Sequence, residues 1–195
     1  MKKLFHLLFC IILTAVFFNG CSGSKGMQGT SEGDIPDWYN NHPQDPNYFY
    51  AATTATSQDM QLAVDKATSA ARTEIGRIVE TRISDLQKKF DEETGIGKDA
   101  QLLQQFTGAS KTVVSTSLSG SQVVKQKQFK DGDIWRAYVL VQYPVGAANE
   151  ALQQQIKNNE QMYTRFRASQ SFKDLDDEVQ KYEEWKKQQQ PAQEK

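Results

Sequence analysis

The fold is decided by residues 59–97, which read DMQLAVDKATSAARTEIGRIVETRISDLQKKFDEETGIG. Apolar residues recur there every three or four positions, at Met60, Val64, Ala67, Ala71, Ile75, Val79, Ile83, Leu86 and Phe90. That spacing is the period of one buried face of an α-helix. Ser57 is the predicted helix start, with Asp59 in the first turn, and Gly95 and Gly97 mark the end. We therefore expect a long helix whose alanine-rich first half packs closely on a sheet.

Strand patterns lie on both sides of this helix. Residues 48–53 are aromatic or β-branched and predict a first strand. Residues 122–130 and 134–143 flank Asp131-Gly132, the strongest short-range signal for a tight hairpin. In the second hairpin strand the uniformly apolar face consists of Trp135, Ala137, Val139, Val141 and Tyr143. One face of the sheet is therefore expected to meet the long helix.

Two further helical regions are predicted. Before the hairpin, apolar residues recur at the spacing of one helix face, at Leu102, Leu103, Phe106, Ala109, Val113, Val114 and Leu118. Gly120 is expected to be the left-handed cap of this helix. After the hairpin, narrow apolar stripes in a glutamine-rich segment predict helices that either fold back on the domain, the commoner outcome, or await a partner. The predicted fold class is α+β: a small antiparallel sheet of strand, long helix and β-hairpin, a second helix before the hairpin, and a helical C-terminal extension.

The N-terminus has the pattern of an export signal. Lys2 and Lys3 precede a run at residues 4–18 that is apolar except at two positions. At 1.5 Å per residue, this run spans roughly 22 Å, short of the ~30 Å hydrocarbon core of a bilayer. It therefore reads as the apolar region of a signal peptide. Gly20-Cys21 follows it, and then comes a flexible polar stretch.

The residues around Cys21 resemble the lipobox of bacterial lipoproteins. In that family the cysteine is diacylated, the preceding peptide is cleaved, and the cysteine becomes the new N-terminus. Gly20 fits the family pattern, whereas Phe18 and Asn19 depart from the usual residues. Ser22 after the cysteine resembles lipoproteins that are forwarded to the outer membrane rather than kept at the inner one. The alternatives are an uncleaved single-span anchor, or ordinary cleavage that leaves Cys21 as a free thiol.

The predicted organisation has five parts. They are a signal peptide at 1–20, a flexible tether at 21–34, an α+β domain at 35–145, C-terminal helices at 146–187 and a disordered tail at 188–195. The tether is rich in Gly and Ser and cannot bury enough apolar surface to order itself. Two acyl chains on Cys21 would form a stable anchor. The membrane is then a partner, through the N-terminal diacylglyceryl and acyl chains.

Composition removes several function classes. The 195 residues carry 23 basic and 24 acidic side chains, a formal net charge of −1, so a nucleic-acid partner has no electrostatic support. Cys10 would leave with the signal peptide, and His42 would be the only histidine of the mature chain. The mature chain would therefore contain too few His and Cys residues for Ser-His-Asp catalysis, for a zinc site or for a disulfide within the monomer. No cofactor and no metal are expected.

A larger resemblance runs over residues 35–144. It rests on Pro36-Asp37-Trp38-Tyr39, Tyr48-Phe49-Tyr50-Ala51, the helix residues Asp59, Ala63, Lys66-Ala67, Ala70-Ala71-Arg72 and Glu74-Ile75, and the hairpin at 120–143. These residues are similar to the LPP20 family of bacterial lipoproteins, although Ala52 stands where many relatives have Gly. The resemblance implies a small α+β domain and a cell-envelope lipoprotein engaged in interactions. It implies no catalytic residues.

The functional expectation is a non-enzymatic, lipid-anchored envelope protein that binds other envelope proteins or itself. The alternative is a periplasmic binding module for a small ligand or glycan, held near Trp38 and Trp135. Arg72 and Glu74 lie in the family motif and are interpreted mainly as structural, with a ligand or partner surface as the other possibility. The acidic runs at 91–93 and 174–178 are interpreted as solvated helix faces with a structural or solubility role. An enzyme is the third hypothesis.

Overall fold

The computed structural model describes residues 35–189. The predicted signal peptide, Cys21 and the tether at 21–34 lie outside the described residues, as do residues 190–195. The elements in chain order are α1 (Asp37–Asn40), β1 (Tyr48–Ser57), α2 (Met60–Thr94), a 3-10 turn (Ile96–Lys98), α3 (Ala100–Gly120), β2 (Gln122–Asp131), β3 (Ile134–Pro144), α4 (Val145–Lys157), α5 (Glu160–Phe166) and α6 (Gln170–Gln189). The predicted α+β fold is confirmed.

The sheet is antiparallel and has the order β1-β3-β2. β1 pairs with β3 over its whole length, from Tyr48 opposite Pro144 to Ser57 opposite Trp135. The β2–β3 hairpin turns through two residues, and Gly132 has a φ of 62° at the first of them. Glycine at that position suits the tight turns that match the twist of the strands.

Helix α2 buries the predicted stripe against β1 and β3. Every member of the stripe from Val64 to Phe90 is buried, and only Met60, at the first turn, is 39% exposed. The alanine-rich half lies close to the sheet, because the Thr53 hydroxyl donates to the carbonyl oxygen of Ala67 at 2.6 Å. Small side chains therefore set the distance between helix and sheet.

Two predicted helix ends are wrong. Ser57 is still paired with Trp135 in the sheet, so the N-cap is Asp59, whose Oδ1 accepts the Leu62 N–H at 2.8 Å. Gly120 is the last helical residue of α3 and has no positive φ. The Ser121 hydroxyl donates to the carbonyl of Leu118 at 2.9 Å, which satisfies a terminal carbonyl without a left-handed turn. At the end of α2, Gly95 is left-handed as expected, with a φ of 67°.

The C-terminal helices fold back onto α2 and α3. Phe90 of α2, Phe106 of α3 and Phe166 of α5 are fully buried. The ring centroid of Phe90 is 4.6 Å from that of Phe166 and 6.0 Å from that of Phe106. Since α4 begins directly after β3, one hydrophobic core runs across the predicted boundary between residues 145 and 146. Helix α6 extends to Gln189, two residues into the predicted tail.

A second, smaller apolar cluster covers the other face of the sheet. Tyr138 and Leu140 of β3 are buried on that face. The ring of Tyr39 in α1 meets Tyr138 edge-on at 4.9 Å, and Phe129 of β2 stacks on it at 6.0 Å. Helix α1 therefore packs against the side of the sheet opposite α2.

Candidate functional site

A cleft of about 420 Å³ opens where four elements meet. These are the beginning of β1, the beginning of α4, the second half of α6, and Arg82 of α2. Its chemistry comes from three aromatic and five polar side chains, which are Phe49, Tyr182, Trp185, Asn47, Arg82, Asn149, Glu178 and Lys181. A mixed cleft between secondary-structure elements is the usual setting of a binding site.

An ion pair joins three helices at the cleft. One oxygen of Glu178, Oε2, accepts from Arg82 Nη2 at 2.8 Å and from Asn149 Nδ2 at 2.7 Å. Asn149 is 3% exposed, while Arg82 and Glu178 are partly open to solvent. A carboxylate engaged by a guanidinium and an amide is suited to orienting polar groups, and Lys181 adds a positive charge at the rim.

Aromatic rings form one wall of the cleft. Tyr182 stacks on Trp185 with a centroid distance of 5.7 Å, and Trp185 meets Tyr48 edge-on at 5.9 Å. Lys186 Nζ lies 4.7 Å from the centre of the Tyr182 ring and pairs with Glu183 at 2.6 Å. Burial raises the pKa of Tyr182, so its hydroxyl keeps its proton at neutral pH. The wall thus offers flat rings and a neutral hydroxyl.

Gly146 permits this aromatic wall. A Cβ at this position would lie 2.1 Å from Cγ of Tyr182, closer than nonbonded carbon atoms approach. Because Gly146 lies in the first turn of α4, the Tyr182 ring packs directly on the helix backbone. The shape of the cleft therefore depends on the absence of a side chain here.

The acidic runs have specific partners. Glu93 accepts the backbone N–H of Gln170 at 2.6 Å and that of Ser171 at 3.1 Å, so it caps α6. The Ser171 hydroxyl also donates to Glu93 and lowers the pKa of its carboxyl. Asp176 accepts from Gln153 at 2.6 Å and from Lys157 at 3.1 Å, which ties α6 to α4. These carboxylates position the helix that supplies the aromatic wall.

The structure does not bring the four predicted surface residues together. Trp135 shares its strand face with Ala137 and packs against the core beside α2. Trp38 lies in α1, next to the Tyr39 that packs on the opposite face of the sheet. A ligand held near both Trp38 and Trp135, as the sequence analysis expected, therefore has no common surface on which to bind.

Arg72 and Glu74 both lie on α2 but have different surroundings. Glu74 pairs with Arg77 at 2.8 Å, one helical turn away. Arg72 is exposed beside a shallow groove between α2 and α3 that includes Ser115 and Leu118. His42 is exposed on the loop before β1. Cys21 lies outside the described residues.

Sequence reasoning missed the cleft because its residues come from distant segments. Tyr182 and Trp185 are recognisable only as members of a narrow apolar stripe, and Arg82 has no sequence signal of its own. Nothing in the sequence around Gly146 indicates that an aromatic ring packs on its backbone. The pairing of Arg82 with Glu178 joins residues 96 positions apart, which periodicity does not reveal.

Within residues 35–189, no group of three or more His, Cys, Asp or Glu side chains is arranged to hold a metal ion. None of the helices in that range combines the length and the apolar character that a membrane span requires. A scan against models of protein families finds no match for this chain, and a search of curated proteins finds no relative. The similarity to the LPP20 family stays a prediction from the residues quoted for it.

Proposed function

We propose that this chain is a lipid-anchored protein of the cell envelope that binds other proteins and catalyses no reaction. Cys21, with its diacylglyceryl and acyl chains, is the proposed anchor, at the outer rather than the inner membrane. The export signal and the Gly20-Cys21 junction support the anchor, and the tether at 21–34 separates it from the folded domain.

The observation that carries the interaction role is the composition of the cleft. Tyr, Trp and Arg are the residue types that contribute most binding energy at protein interfaces. Tyr182, Trp185 and Arg82 meet at this one surface, and Tyr48 adjoins it. Because packing and ion pairs already orient these side chains, a partner would lose little conformational entropy in ordering them.

A non-catalytic role is supported by how the polar groups are used. Glu178 is engaged by Arg82 and Asn149, and Glu93 and Asp176 hold α6 in place. These carboxylates have structural partners that account for their positions. The mature chain would also contain a single histidine, His42, which argues against a nucleophile activated by a paired histidine.

The test is capture of partners from native membranes with the full-length chain. Trp185→Ala removes the ring at the centre of the wall and should lower recovery of a specific envelope protein at least tenfold. Trp38→Ala, on the other face of the sheet, is the matched control and should leave recovery unchanged. Equal recovery by the wild type and the Trp185 variant would contradict the assignment of the interaction to the cleft.

The second candidate is a binding module for a small ligand or glycan, with the cleft as its proposed site. Its volume of about 420 Å³ falls within the range of small-molecule sites, about 300–1,000 Å³. The stacked rings of Tyr182 and Trp185 offer a surface for a sugar ring. Thermal shift of the purified chain with soluble envelope glycans separates the two candidates, because a ligand that binds the folded state raises the melting temperature.

A further inference from the structure

The two edges of the sheet differ in their protection. The β2 edge carries Lys125, Lys127 and Lys130, and its pairing with β3 is interrupted by an irregularity between Val123 and Lys125. Charged side chains and bulges are the devices by which natural proteins prevent edge strands from pairing with another chain. The β2 edge is therefore protected against pairing with another strand.

The β1 edge lacks these devices. Its ten residues, Tyr48–Ser57, include no charged residue and no proline, and they pair with β3 in unbroken register. In the described part of the chain, the only backbone partner of residues 49–57 is β3. The free side of a strand presents N–H and C=O groups that can template a further strand.

We propose that β1 pairs antiparallel with β1 of a second copy, across a two-fold axis. The result is a six-stranded sheet of order β2-β3-β1-β1-β3-β2. This inference adds a second copy of the chain to the partners proposed above, through the β1 edge rather than through the cleft, and it does not require the lipid on Cys21.

Charge and symmetry favour a second copy as the occupant. Two β1 strands bring no like charges together, whereas two β2 strands would set lysines against lysines. Pairing of β1 with the β2 of another copy would be head-to-tail and could continue without closing. Pairing of β1 with β1 forms a closed dimer, in which the protected β2 strands are the two outer edges of the sheet.

The ends of β1 also complement each other. A cavity of about 330 Å³ lies at the start of β1, lined by the loop at 42–46 and by Tyr50 and Ile78. Met60 and Leu62, just beyond the end of β1, are exposed apolar residues. In an antiparallel pair centred on Ala52, Ser57 of one copy falls opposite residue 47 of the other, so the start of α2 in one copy approaches the loop at 42–46 of the other. The two-fold axis therefore brings Met60 and Leu62 of one copy near the cavity at the start of β1 of the other.

Crosslinking of the full-length chain in native membranes tests this pairing. Ala52→Cys should yield a dimer band with a short bis-maleimide, because a centre at Ala52 or Thr53 sets the two sites roughly 4.5–8 Å apart. Gln126→Cys, on exposed β2, is the control and should yield none. Absence of a band from the Ala52 variant, or an equal band from the Gln126 variant, would overturn the proposal.

A disruptive variant gives a second reading. Thr54→Lys places a charge on the exposed outer face of β1 and should convert the detergent-solubilised dimer to a monomer in sedimentation, with an unchanged circular dichroism spectrum. Gln128→Lys on β2 should stay dimeric. A wild-type monomer, or a folded Thr54 variant that stays dimeric, would refute β1 pairing. A monomer that still captures an envelope protein would refute the pairing alone and leave the proposed function standing.

Discussion

The carboxylate of Glu93, at the end of α2, accepts the backbone N–H of Gln170, the first residue of α6, at 2.6 Å. Residues 77 positions apart thus meet where α6 has unpaired backbone donors. A negative charge at a helix N-terminus is also favoured by the helix dipole. Glu93 therefore fixes one end of α6, and Glu178 and Tyr182 extend from that helix to the cleft.

Replacing Glu93 by alanine should destabilise the docking of α6. Loss of a cap costs about 0.5–2 kcal/mol, and the lower half of that range applies because Glu93 is exposed. Hydrogen exchange should accelerate at the amides of residues 170–173, and the urea midpoint should fall. Glu92→Ala, the neighbouring exposed carboxylate, is the control and should change neither measurement.

The contribution of Glu93 should depend on pH. Its pKa in the folded state lies below the ordinary 4.5, chiefly because the Ser171 hydroxyl donates to the carboxylate. A lowered pKa means that the stabilisation is present above about pH 4.5 and is lost as the pH falls through the folded-state pKa. The difference in unfolding free energy between wild type and Glu93→Ala should therefore shrink as the pH falls below 4.5. A difference that grows on acidification would contradict this account.

Truncation of Phe166 should be among the most damaging changes. Its ring is fully buried between Phe90 and Phe106, so Phe166→Ala should lower the unfolding free energy by about 3–5 kcal/mol. Chemical denaturation measures this loss. Tyr163→Ala, at a partly exposed site on the same helix, should cost much less.

Adding a methyl group at Gly146 should disturb the cleft. Gly146→Ala would force the Tyr182 ring away from α4 and change its stacking on Trp185. We expect altered tryptophan fluorescence and a loss of about 1–3 kcal/mol, as for other overpacked sites. The methyl group added by Gly108→Ala, on α3, would lie in open space. Because alanine favours a helix more than glycine does, this variant should instead stabilise the chain by up to about 1 kcal/mol. Unchanged fluorescence in the Gly146 variant would count against the described wall.

Most of the fold follows from local patterns in the sequence. The spacing of Val64 to Phe90 determines the buried face of α2, and Asp131-Gly132 determines the hairpin, because both signals act between near neighbours. The helix ends were less predictable, since the cap at Asp59 depends on how far Ser57 continues the sheet. Whether the C-terminal helices dock depends on Phe166 meeting Phe90 and Phe106, a contact between distant segments.

The cleft was not predictable for the same reason. Arg82, Asn149 and Glu178 come from three helices, and their hydrogen bonds exist only once those helices are packed. The two tryptophans singled out in the sequence, Trp38 and Trp135, lie by opposite faces of the sheet, whereas Trp185 lines the cleft. The tryptophans singled out in the sequence therefore do not mark the position of the cleft.

The proposed anchoring of this domain in the envelope depends on a lipid carried by Cys21. Mass spectrometry of the N-terminal peptide from the membrane-extracted protein tests it most directly. The expected product is a chain that begins at Cys21 and bears a diacylglyceryl group and an N-acyl chain. Cys21→Ala should remove both the modification and the cleavage. A processed chain with a free thiol at Cys21, or a chain that retains residues 1–20, would show that Cys21 is not the anchor.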